Sequence, residues 1–259
     1  MNLQLENKTA LVTGSTKGIG FAIARLLVDE GANVVVNGRS ADSARAAAEK
    51  IGSRARGVAA DVSTAAGCVE LVRQVPSVDI LVNNAGIFEP KPFTEIPDAD
   101  WERFYQVNVM SGVRLTRAYL PDMIQRNWGR VIFMSSESGV QIPEEMIHYG
   151  MTKAAELALV NGIAQLTRRT GVTVNAVLPG PTASEGVTDF VDKLASSAKQ
   201  TAAEFEKEFF RNVRPTSLLQ RFASVDEVAS MVAYLCSPLA SATNGAAVRV
   251  DGGVLRGTV

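Results

Sequence analysis

Short runs of β-branched and other apolar residues alternate along the chain with longer stretches of helical period. The runs lie at residues 9–13, 34–37, 58–60, 80–82, 131–134, 172–178 and 247–250. The first two are followed by helical stretches from about 18 to 30 and from about 41 to 50. About seven strands separated by helices predict a single α/β domain, 1–259, in which a doubly wound parallel sheet carries helices on both faces.

Glycines mark the predicted ends of three helices. Gly31 and Gly52 follow the first two helical stretches, and Gly171 follows a third that begins at Tyr149 and runs to about residue 170. Glycine is favoured just past a helix because it adopts the left-handed backbone conformation without a steric penalty. A further helical stretch at 101–119 contains an asparagine, a residue that is unfavourable inside a helix and therefore suggests a functional reason.

The segment after the sixth run is irregular. From about 181 to 214 it follows Pro179-Gly180 and becomes charged and helical only around 201–211. Ligands of doubly wound sheets lie beyond the carboxyl ends of the strands, where this segment begins. We therefore expect a substrate lid at 181–214. Its phenylalanines either form an apolar cover or pack against the body: Phe190, Phe205, Phe209 and Phe210.

Composition and charge exclude several functions. Lys and Arg number 26 against 27 Asp and Glu, and the formal net charge of -1 gives no general attraction for nucleic acid or for an anionic membrane. Cys68 and Cys236 are too far apart to suggest a zinc site or a disulfide framework, and no cluster of His, Cys and carboxylates suggests another metal. Without a signal-like amino terminus or an apolar stretch of about 18 to 20 residues, we expect a cytoplasmic protein.

A glycine-rich stretch separates the first predicted strand from the first helix. It has the spacing Gly-x-x-x-Gly-x-Gly and consists of Gly14, Ser15, Thr16, Lys17, Gly18, Ile19 and Gly20. Glycine lets a pyrophosphate approach the backbone, and the free N–H groups at a helix start attract an anion. The strand before it and the helix after it favour a dinucleotide-binding turn over a purely structural one.

Tyr149 and Lys153 are four residues apart at the start of a predicted helix, so their side chains share one face. A phenol has a pKa of about 10, and an adjacent ammonium group lowers that pKa by favouring the phenolate. The pair therefore suits acid–base chemistry, although an isolated pair of this kind is more often an ordinary surface pair.

Further motifs follow in order along the chain. They are Asp61-Val62, Asn83-Asn84-Ala85-Gly86, Asn108, Ser136, Tyr149 with Lys153, Pro179-Gly180 and Val250-Asp251-Gly252-Gly253. With the glycine turn, they resemble the short-chain dehydrogenase/reductase family over nearly the whole chain, and its 3-oxoacyl carrier-protein reductases in particular. The resemblance implies a Rossmann-type fold, a nicotinamide cofactor and a homo-oligomer, a tetramer or dimer, built through the helices near 100–125 and 149–170.

The resemblance also assigns roles to residues. Asn108, Ser136, Tyr149 and Lys153 match the family's catalytic residues. The residues implied in cofactor binding are Gly14, Ser15, Lys17, Gly18, Ile19, Gly20, Arg39, Asp61, Val62, Asn84, Ala85, Gly86, Tyr149, Lys153, Pro179, Gly180 and Thr182. Thr182 matches a position that contacts the nicotinamide carboxamide, and the alternative role for its hydroxyl is to cap a loop.

The end of the second predicted strand bears on the choice of cofactor. NAD-binding folds place a carboxylate there to hold the ribose 2′-hydroxyl, whereas this chain has Gly38-Arg39-Ser40 and no carboxylate before Asp42. The guanidinium of Arg39 suits a phosphate, and Lys17 adds a second positive charge. We therefore expect NADP, with NAD as the second choice, unless both side chains are merely solvated surface charges.

These expectations combine into a function. The chain is expected to move a hydride between NADP and a carbonyl or secondary alcohol, with Tyr149 as proton donor, Ser136 orienting the substrate oxygen and Asn108 anchoring a relay to Lys153. Compatible substrates are 3-oxoacyl thioesters, sugars, steroids and small ketones. The alternatives are a catalytically silent cofactor sensor or scaffold, and a serine hydrolase, whose Gly-x-Ser-x-Gly motif is absent. We expect the single histidine, His148, to pack rather than to line the substrate pocket.

Overall fold

The structure, a computed structural model, describes residues 2–185 and 201–257. Its strands are β1 (Thr9–Val12), β2 (Asn33–Gly38), β3 (Ala55–Ala59), β4 (Ile80–Asn83), β5 (Gly129–Met134), β6 (Val172–Pro179), β7 (Thr182–Ala183), β8 (Ala223–Ser224) and β9 (Ala247–Val250). The helices are α1 (Gly18–Asp29), α2 (Ala41–Ile51), α3 (Ala65–Gln74), α4 (Asp98–Phe104), α5 (Ser111–Gln125), α6 (Ile147–Leu166), α7 (Ala202–Asn212) and α8 (Val225–Cys236).

Seven of these strands form one sheet in the order β3-β2-β1-β4-β5-β6-β9, and every neighbouring pair is parallel. Apolar and β-branched residues predominate in the inner strands, and β4 and β6 are buried along their whole length. Such strands need a layer of helices on each face. The prediction of a doubly wound parallel sheet of about seven strands is confirmed.

Two hydrophobic cores lie on the two faces of the sheet. Helices α1, α2 and α8 contribute to one core, in which Leu27 and Val232 are fully buried. Helices α3, α5 and α6 contribute to the other, which contains Leu71. Successive side chains of β1 alternate between the cores, since Leu11 packs in the second and Val12 in the first.

The order of strands reverses at β1, which lies between β2 and β4. The loops that follow β1 and β4 are joined at this switch point. The hydroxyl oxygen of Thr13 accepts hydrogen bonds from the backbone N–H groups of Asn84 and Ala85, both at 3.0 Å. The Asn84 side chain donates to the carbonyl oxygens of Thr13 (2.8 Å) and Gly14 (3.0 Å). Doubly wound folds bind their ligands at this edge.

One predicted helix end is wrong. Helix α6 ends at Leu166 rather than near residue 170, and the left-handed residue beyond it is Arg169 (φ 63°) rather than Gly171. Gly171 is required for a different reason, because a Cβ there would lie 2.3 Å from the carbonyl oxygen of Asn127. The glycines predicted after α1 and α2 do adopt positive φ.

The helical stretch predicted at 101–119 is longer and is interrupted. One turn of π-helix, Tyr105–Met110, joins α4 to α5, so the helical region extends from Asp98 to Gln125. Asn108 lies in this π turn. Turns of this kind inside helices are frequent at functional sites, and here the turn contains one of the predicted catalytic residues.

The segment after β6 contains a small second sheet and a helix. Strand β7 pairs in parallel with β8, and α7 begins with a capping box in which Thr201 and Glu204 exchange hydrogen bonds. This helix confirms the one predicted around 201–211. Phe190, one of the predicted lid residues, lies outside the described residues. Across residues 2–185 and 201–257, no helix combines the length and the apolar character that crossing a bilayer requires.

Candidate active site

A pocket of about 280 Å³ lies at the carboxyl ends of the central strands. Its walls come from the ends of β5 and β6, the loop after β4, the start of α6 and the segment that contains α7. Nine residues predicted from the sequence line it: Ile19, Asn84, Gly86, Ser136, Tyr149, Lys153, Pro179, Gly180 and Thr182. The structure therefore brings three of the four predicted catalytic residues together in one cavity.

Tyr149 and Ser136 reach the pocket from different elements. Tyr149 lies in the first turn of α6, and Ser136 follows β5 at the start of a short 3-10 turn, Glu137–Gly139. The Ser136 hydroxyl oxygen accepts a hydrogen bond from the backbone N–H of Ser138 at 3.1 Å, which fixes the position of that oxygen. A hydroxyl that accepts one bond in this way can still donate its proton to a ligand.

The pKa of Tyr149 is raised above the ordinary phenol value, because burial outweighs the effects of its neighbours. Lys153 and a hydrogen bond with Ser136 both lower this pKa, and the Lys153 ammonium nitrogen lies 5.7 Å from the centre of the phenol ring. The predicted effect of Lys153 on this pKa is therefore present, and burial, which the sequence prediction did not include, outweighs it. A phenol in this state keeps its proton at neutral pH, which suits a proton donor to a carbonyl oxygen.

Lys153 is buried one helical turn after Tyr149. Its ammonium group donates to the carbonyl oxygen of Met134 at 2.7 Å and to the two carboxylate oxygens of Glu156 at 3.2 and 3.1 Å. Burial raises the pKa of Glu156 to about 7, against the opposing effect of Lys153. The sequence prediction missed Glu156, although its spacing of three residues from Lys153 on one helix was a usable signal.

Asn108 is buried and does not line the pocket. Its Oδ1 accepts a hydrogen bond from the backbone N–H of Ile87 at 2.8 Å, and its Nδ2 donates to the Ile87 carbonyl oxygen at 3.0 Å and to the Thr152 hydroxyl at 2.9 Å. Thr152 in turn donates to the carbonyl oxygen of Tyr149 at 2.7 Å. Asn108 thus joins the loop after β4 to α6, and its predicted relay to Lys153 stays a prediction.

The turn between β1 and α1 has the shape of an anion-binding site. Gly14 and Gly18 have positive φ, 60° and 61°. A Cβ on Gly20 would lie 2.4 Å from the side-chain nitrogen of Asn84, so only glycine fits there. No side chain caps the start of α1, and its first backbone N–H groups therefore keep their donors for a ligand. These features fit the pyrophosphate of a dinucleotide.

The two predicted phosphate-binding side chains are exposed beside this turn. Lys17 is the N-cap residue of α1, and Arg39 follows the last residue of β2. The end of β2 is packed against the turn, since a Cβ on Gly38 would lie 2.5 Å from Cγ2 of Thr16. The backbone positions of Lys17 and Arg39 therefore lie at the same edge of the site.

Ser15 differs from the other turn residues because its polar groups serve the fold. Its hydroxyl donates to the carbonyl oxygen of Val12 at 2.7 Å and accepts from the backbone N–H of Asn37 at 3.1 Å. Its own N–H donates to the Asn37 carbonyl oxygen at 3.0 Å, and the residue is fully buried. Ser15 thus ties β1 to β2, and its predicted contact with a cofactor stays a prediction.

Three other predicted cofactor residues have partners in the fold. Asp61 is exposed after β3, where its Oδ1 accepts from the N–H and the hydroxyl of Ser63, whereas Val62 is buried in the core beside α3. The Thr182 hydroxyl donates to the carbonyl oxygen of Gly180 at 2.9 Å, although the residue also lines the pocket. The loop-capping role of Thr182 is confirmed, and its contact with a cofactor stays a prediction.

A cluster of charges on the pocket wall has no precedent in the sequence prediction. Arg214, which follows α7, donates from Nε to Glu137 at 3.1 Å and from Nη1 to Glu145 at 3.2 Å. Arg214 and Glu137 are buried, and Glu137 directly follows Ser136. Burial raises the pKa of Glu137, and Arg214 opposes this shift. No regular spacing signals the cluster, because its members come from distant parts of the chain.

Aromatic side chains form much of the remaining wall. Phe88, Phe205, Phe209 and Phe222 line the pocket, and the rings of Phe209 and Phe222 stack with their centres 5.2 Å apart. Phe210 is buried against Phe222. Of the predicted lid residues, Phe205 and Phe209 therefore face the pocket, and Phe210 packs against the body.

His148 is part of an aromatic cluster outside the pocket wall. Its ring is fully buried, with its centre 4.1 Å from that of Phe104 and 5.9 Å from that of Trp101. Neither ring nitrogen has a hydrogen-bond partner among the residues that the structure describes, and burial lowers the pKa. The prediction that His148 packs is confirmed.

Comparisons with known proteins identify the family of the chain. The family model for short chain dehydrogenases matches residues 8–195. An uncharacterized oxidoreductase of Bacillus subtilis (strain 168), YvaG, is 48% identical over 261 residues, with 99% of each chain covered. The 3-oxoacyl-[acyl-carrier-protein] reductase FabG of Aquifex aeolicus (strain VF5) is 36% identical over 98% of this chain and 100% of its own.

A solved structure gives the same result. L-sorbose reductase from Gluconobacter frateurii, in complex with NADPH and L-sorbose, matches with a TM-score of 0.93 and 32% identity over 99% of this chain and 100% of its own. The fold, the order of the motifs and the relatives are consistent with one another. The chain therefore belongs to the short-chain dehydrogenase family of oxidoreductases.

Proposed function

We propose that this protein is an NADP(H)-dependent oxidoreductase that interconverts a carbonyl compound and its secondary alcohol. One observation carries the proposal: Tyr149, Ser136 and Lys153 meet in one pocket at the switch point of the sheet, next to the glycine turn. This arrangement supports proton transfer to an oxygen atom that lies between the phenol and the serine hydroxyl. The complex of the similar L-sorbose reductase with NADPH adds support for the cofactor.

The chemistry of these residues accounts for both directions of the reaction. In reduction, the hydroxyls of Tyr149 and Ser136 donate hydrogen bonds to the carbonyl oxygen and polarise the C=O bond. Bound NADPH supplies the hydride for the new C–H bond. Tyr149 supplies the proton for the new O–H bond and regains one from solvent, while the Lys153 ammonium stabilises the phenolate. Oxidation of the alcohol reverses each transfer.

The residues suited to hold NADP lie on the glycine turn and at the end of β2. Backbone N–H groups at the start of α1 offer donors to the pyrophosphate, and Arg39 and Lys17 offer positive charge to the 2′-phosphate. Two unit charges about 4 Å apart interact by about 4 kcal/mol at an effective dielectric constant of about 20, and solvent reduces this value at exposed sites. A preference for NADPH over NADH of about tenfold or more follows.

The pocket wall favours an uncharged substrate. Phe205 and Phe209 offer apolar contact, and Arg214 is already paired with the carboxylates of Glu137 and Glu145. This cluster therefore has no excess positive charge for a carboxylate or a phosphate. A sugar or a small ketone suits it best, with a 3-oxoacyl thioester as the alternative that the carrier-protein reductases suggest. The segment at 181–214 is proposed to cover the substrate.

Initial rates with both reduced cofactors test the proposal. The panel contains L-sorbose, small ketones, a 3-oxoacyl thioester and a keto acid. We expect faster oxidation of NADPH than of NADH, and higher kcat/KM for the uncharged compounds than for the keto acid. Tight NADPH binding without turnover of any compound would instead support a silent sensor or scaffold, and no binding of either nucleotide would contradict both.

A further inference from the structure

The ammonium group of Lys153 is held by a buried carboxylate, that of Glu156, to which the steps of the proposed reaction assign no role. Its Nζ lies 2.7 Å from the carbonyl oxygen of Met134 and 3.1 and 3.2 Å from the carboxylate oxygens of Glu156. The side chains of Lys153 and Glu156 are 5% and 2% exposed. The ion pair is therefore shielded from bulk water.

Stability alone is a poor explanation for such a pair. The cost of removing a carboxylate and an ammonium group from water commonly exceeds their attraction, and an apolar pair of similar volume often stabilises a fold as well or better. Burial raises the pKa of Glu156 to about 7 despite the adjacent lysine, which reflects this cost. A task in holding the lysine explains why a carboxylate occupies this position.

The hydrogen bonds of the ammonium group show what the carboxylate fixes. The carbonyl oxygen of Met134 and the carboxylate oxygens of Glu156 accept hydrogen bonds from the ammonium nitrogen. The same nitrogen faces the pocket, which Lys153 and Gly86 both line, and a Cβ built on Gly86 would lie 3.6 Å from Nζ. Two protein partners thus hold Nζ at the wall of the proposed reaction site.

The surrounding charges define the electrostatic effect of the pair. The pKa of Tyr149, on the same helix, is raised mainly by burial, lowered by the lysine and by Ser136, and raised further by Glu156 and Glu137. Strand β6, which packs on α6, carries no ionisable side chain. The charged residues of α4 influence the pKa of His148. Glu145, in the acidic turn before α6, pairs with Arg214, which follows α7. Glu156 therefore opposes the phenolate that the lysine favours.

We propose that Glu156 is a positioning residue of the reaction, which fixes the Lys153 ammonium against Met134 and places a buried negative charge beside it. This inference rests on the proposed function, because it gives Glu156 a task in the proton transfer by Tyr149. It implies that turnover and its pH dependence change when Glu156 loses its charge.

The first test compares Glu156→Gln with Glu70→Gln. Both glutamates pair with a basic residue three positions away on one helix, but the pair of Glu70 and Arg73 lies on the surface of α3, outside the pocket. The rate of alcohol oxidation is measured as a function of pH with a substrate found in the panel. In Glu156→Gln we expect the high-pH plateau of kcat to fall about tenfold, the factor for loss of one charged hydrogen bond.

The position of the acidic limb of the same profile supplies a second readout. Removal of the negative charge of Glu156 makes the phenolate of Tyr149 easier to form, so the limb is expected to move to lower pH. Glu70→Gln is expected to change neither the plateau nor the limb. A purely structural ion pair would alter the melting temperature but not the limb.

Dissociation constants for NADPH give a readout that needs no turnover. A double-mutant cycle with Glu156→Gln and Lys153→Met isolates the coupling between the two side chains. We expect Glu156→Gln to raise the Kd by about tenfold when Lys153 is present and to have no effect in the Lys153→Met background. Equal effects in both backgrounds would show that Glu156 does not act through the lysine.

The remaining outcomes are also decisive. Unchanged plateau, limb and Kd in Glu156→Gln would overturn the proposal. If that variant does not fold, Glu156→Asp takes its place, because it keeps the charge but shortens the side chain by one methylene. We then expect a lower plateau of kcat and an acidic limb that does not move. Full activity in Glu156→Asp would contradict the proposal. A wild-type protein that reduces no carbonyl refutes the proposed function, while the cycle of Kd values still decides the role of Glu156.

Discussion

Arg214 donates a hydrogen bond from Nε to Oε1 of Glu137 at 3.1 Å, across a sequence separation of 77 residues. Glu137 directly follows Ser136, and Arg214 lies just beyond the end of α7. Both residues are buried. The contact therefore ties the residues that follow α7 to the loop that positions a hydroxyl of the proposed reaction.

Arg214→Met is expected to lower the free energy of unfolding by about 3–5 kcal/mol, because it leaves the Glu137 carboxylate buried without its partner. The KM of the carbonyl substrate should rise, with little change in the Kd of NADPH. Chemical denaturation and initial rates measure these effects. Addition of Glu137→Gln should restore most of the stability, and Arg211→Met, an exposed site on α7, is the control. A double variant that is less stable than Arg214→Met would contradict this reading of the pair.

Tyr149→Phe removes only the phenol hydroxyl. We expect kcat to fall by about 10²- to 10⁴-fold, the range for loss of a general acid, while NADPH binding stays nearly unchanged. Tyr119→Phe is the matched control, since its buried hydroxyl donates to the carbonyl oxygen of Val75 at 2.7 Å away from the pocket. That variant should lose stability but keep its turnover. Near-normal turnover in Tyr149→Phe would disprove the assignment.

Arg39→Ala tests the choice of cofactor. The substitution removes the positive charge proposed to face the 2′-phosphate, so we expect the KM for NADPH to rise about tenfold and the KM for NADH to stay the same. Arg45→Ala removes an exposed arginine of α2 that pairs with Asp42, and should change neither value. Equal KM values for the two cofactors in the wild-type protein would reject the preference for NADP.

The raised pKa of Glu156 makes stability depend on pH. Its carboxyl has a pKa of about 7 in the folded protein and an ordinary value of 4.5, so the folded state binds this proton more tightly. The resulting stabilisation is fully present below about pH 4.5 and is lost as the pH rises through about 7. The difference corresponds to at most about 3 kcal/mol. Urea denaturation across this interval should show a loss in the wild-type protein that Glu156→Gln lacks, and parallel curves would contradict the shift.

Much of the fold was predictable because its signals are local. The inner strands are buried on both faces, so β4 and β6 read as nearly unbroken apolar runs. The glycine turn could be identified because only glycine satisfies its positive φ and close contacts, as at Gly14 and Gly20. Tyr149 and Lys153 share a face of one helix, which spacing alone reveals.

The remaining features depend on contacts that no local pattern records. Arg214 and Glu137 meet only through the tertiary fold. The hydroxyl of Ser15 binds the neighbouring strands, a structural role that the sequence did not predict, and its contact with a cofactor stays a prediction. The net pKa shift of Tyr149 reflects a balance between burial and the charge of Lys153, and burial becomes known only once the side chains are placed.

Strands β7 and β8 pair Thr182 with Ala223 and Ala183 with Ser224. Neighbouring strands are about 4.8 Å apart, so the chain leaves the body and returns to it at adjacent points. This pairing holds both ends of the stretch between them, and Arg214 and Leu218 anchor the stretch further to Glu137 and Gly252. Changes of length outside these anchors leave the strand pairings of the large sheet as they are. Substitutions in this one stretch can therefore reshape one wall of the pocket while the strands that carry the other walls stay in place.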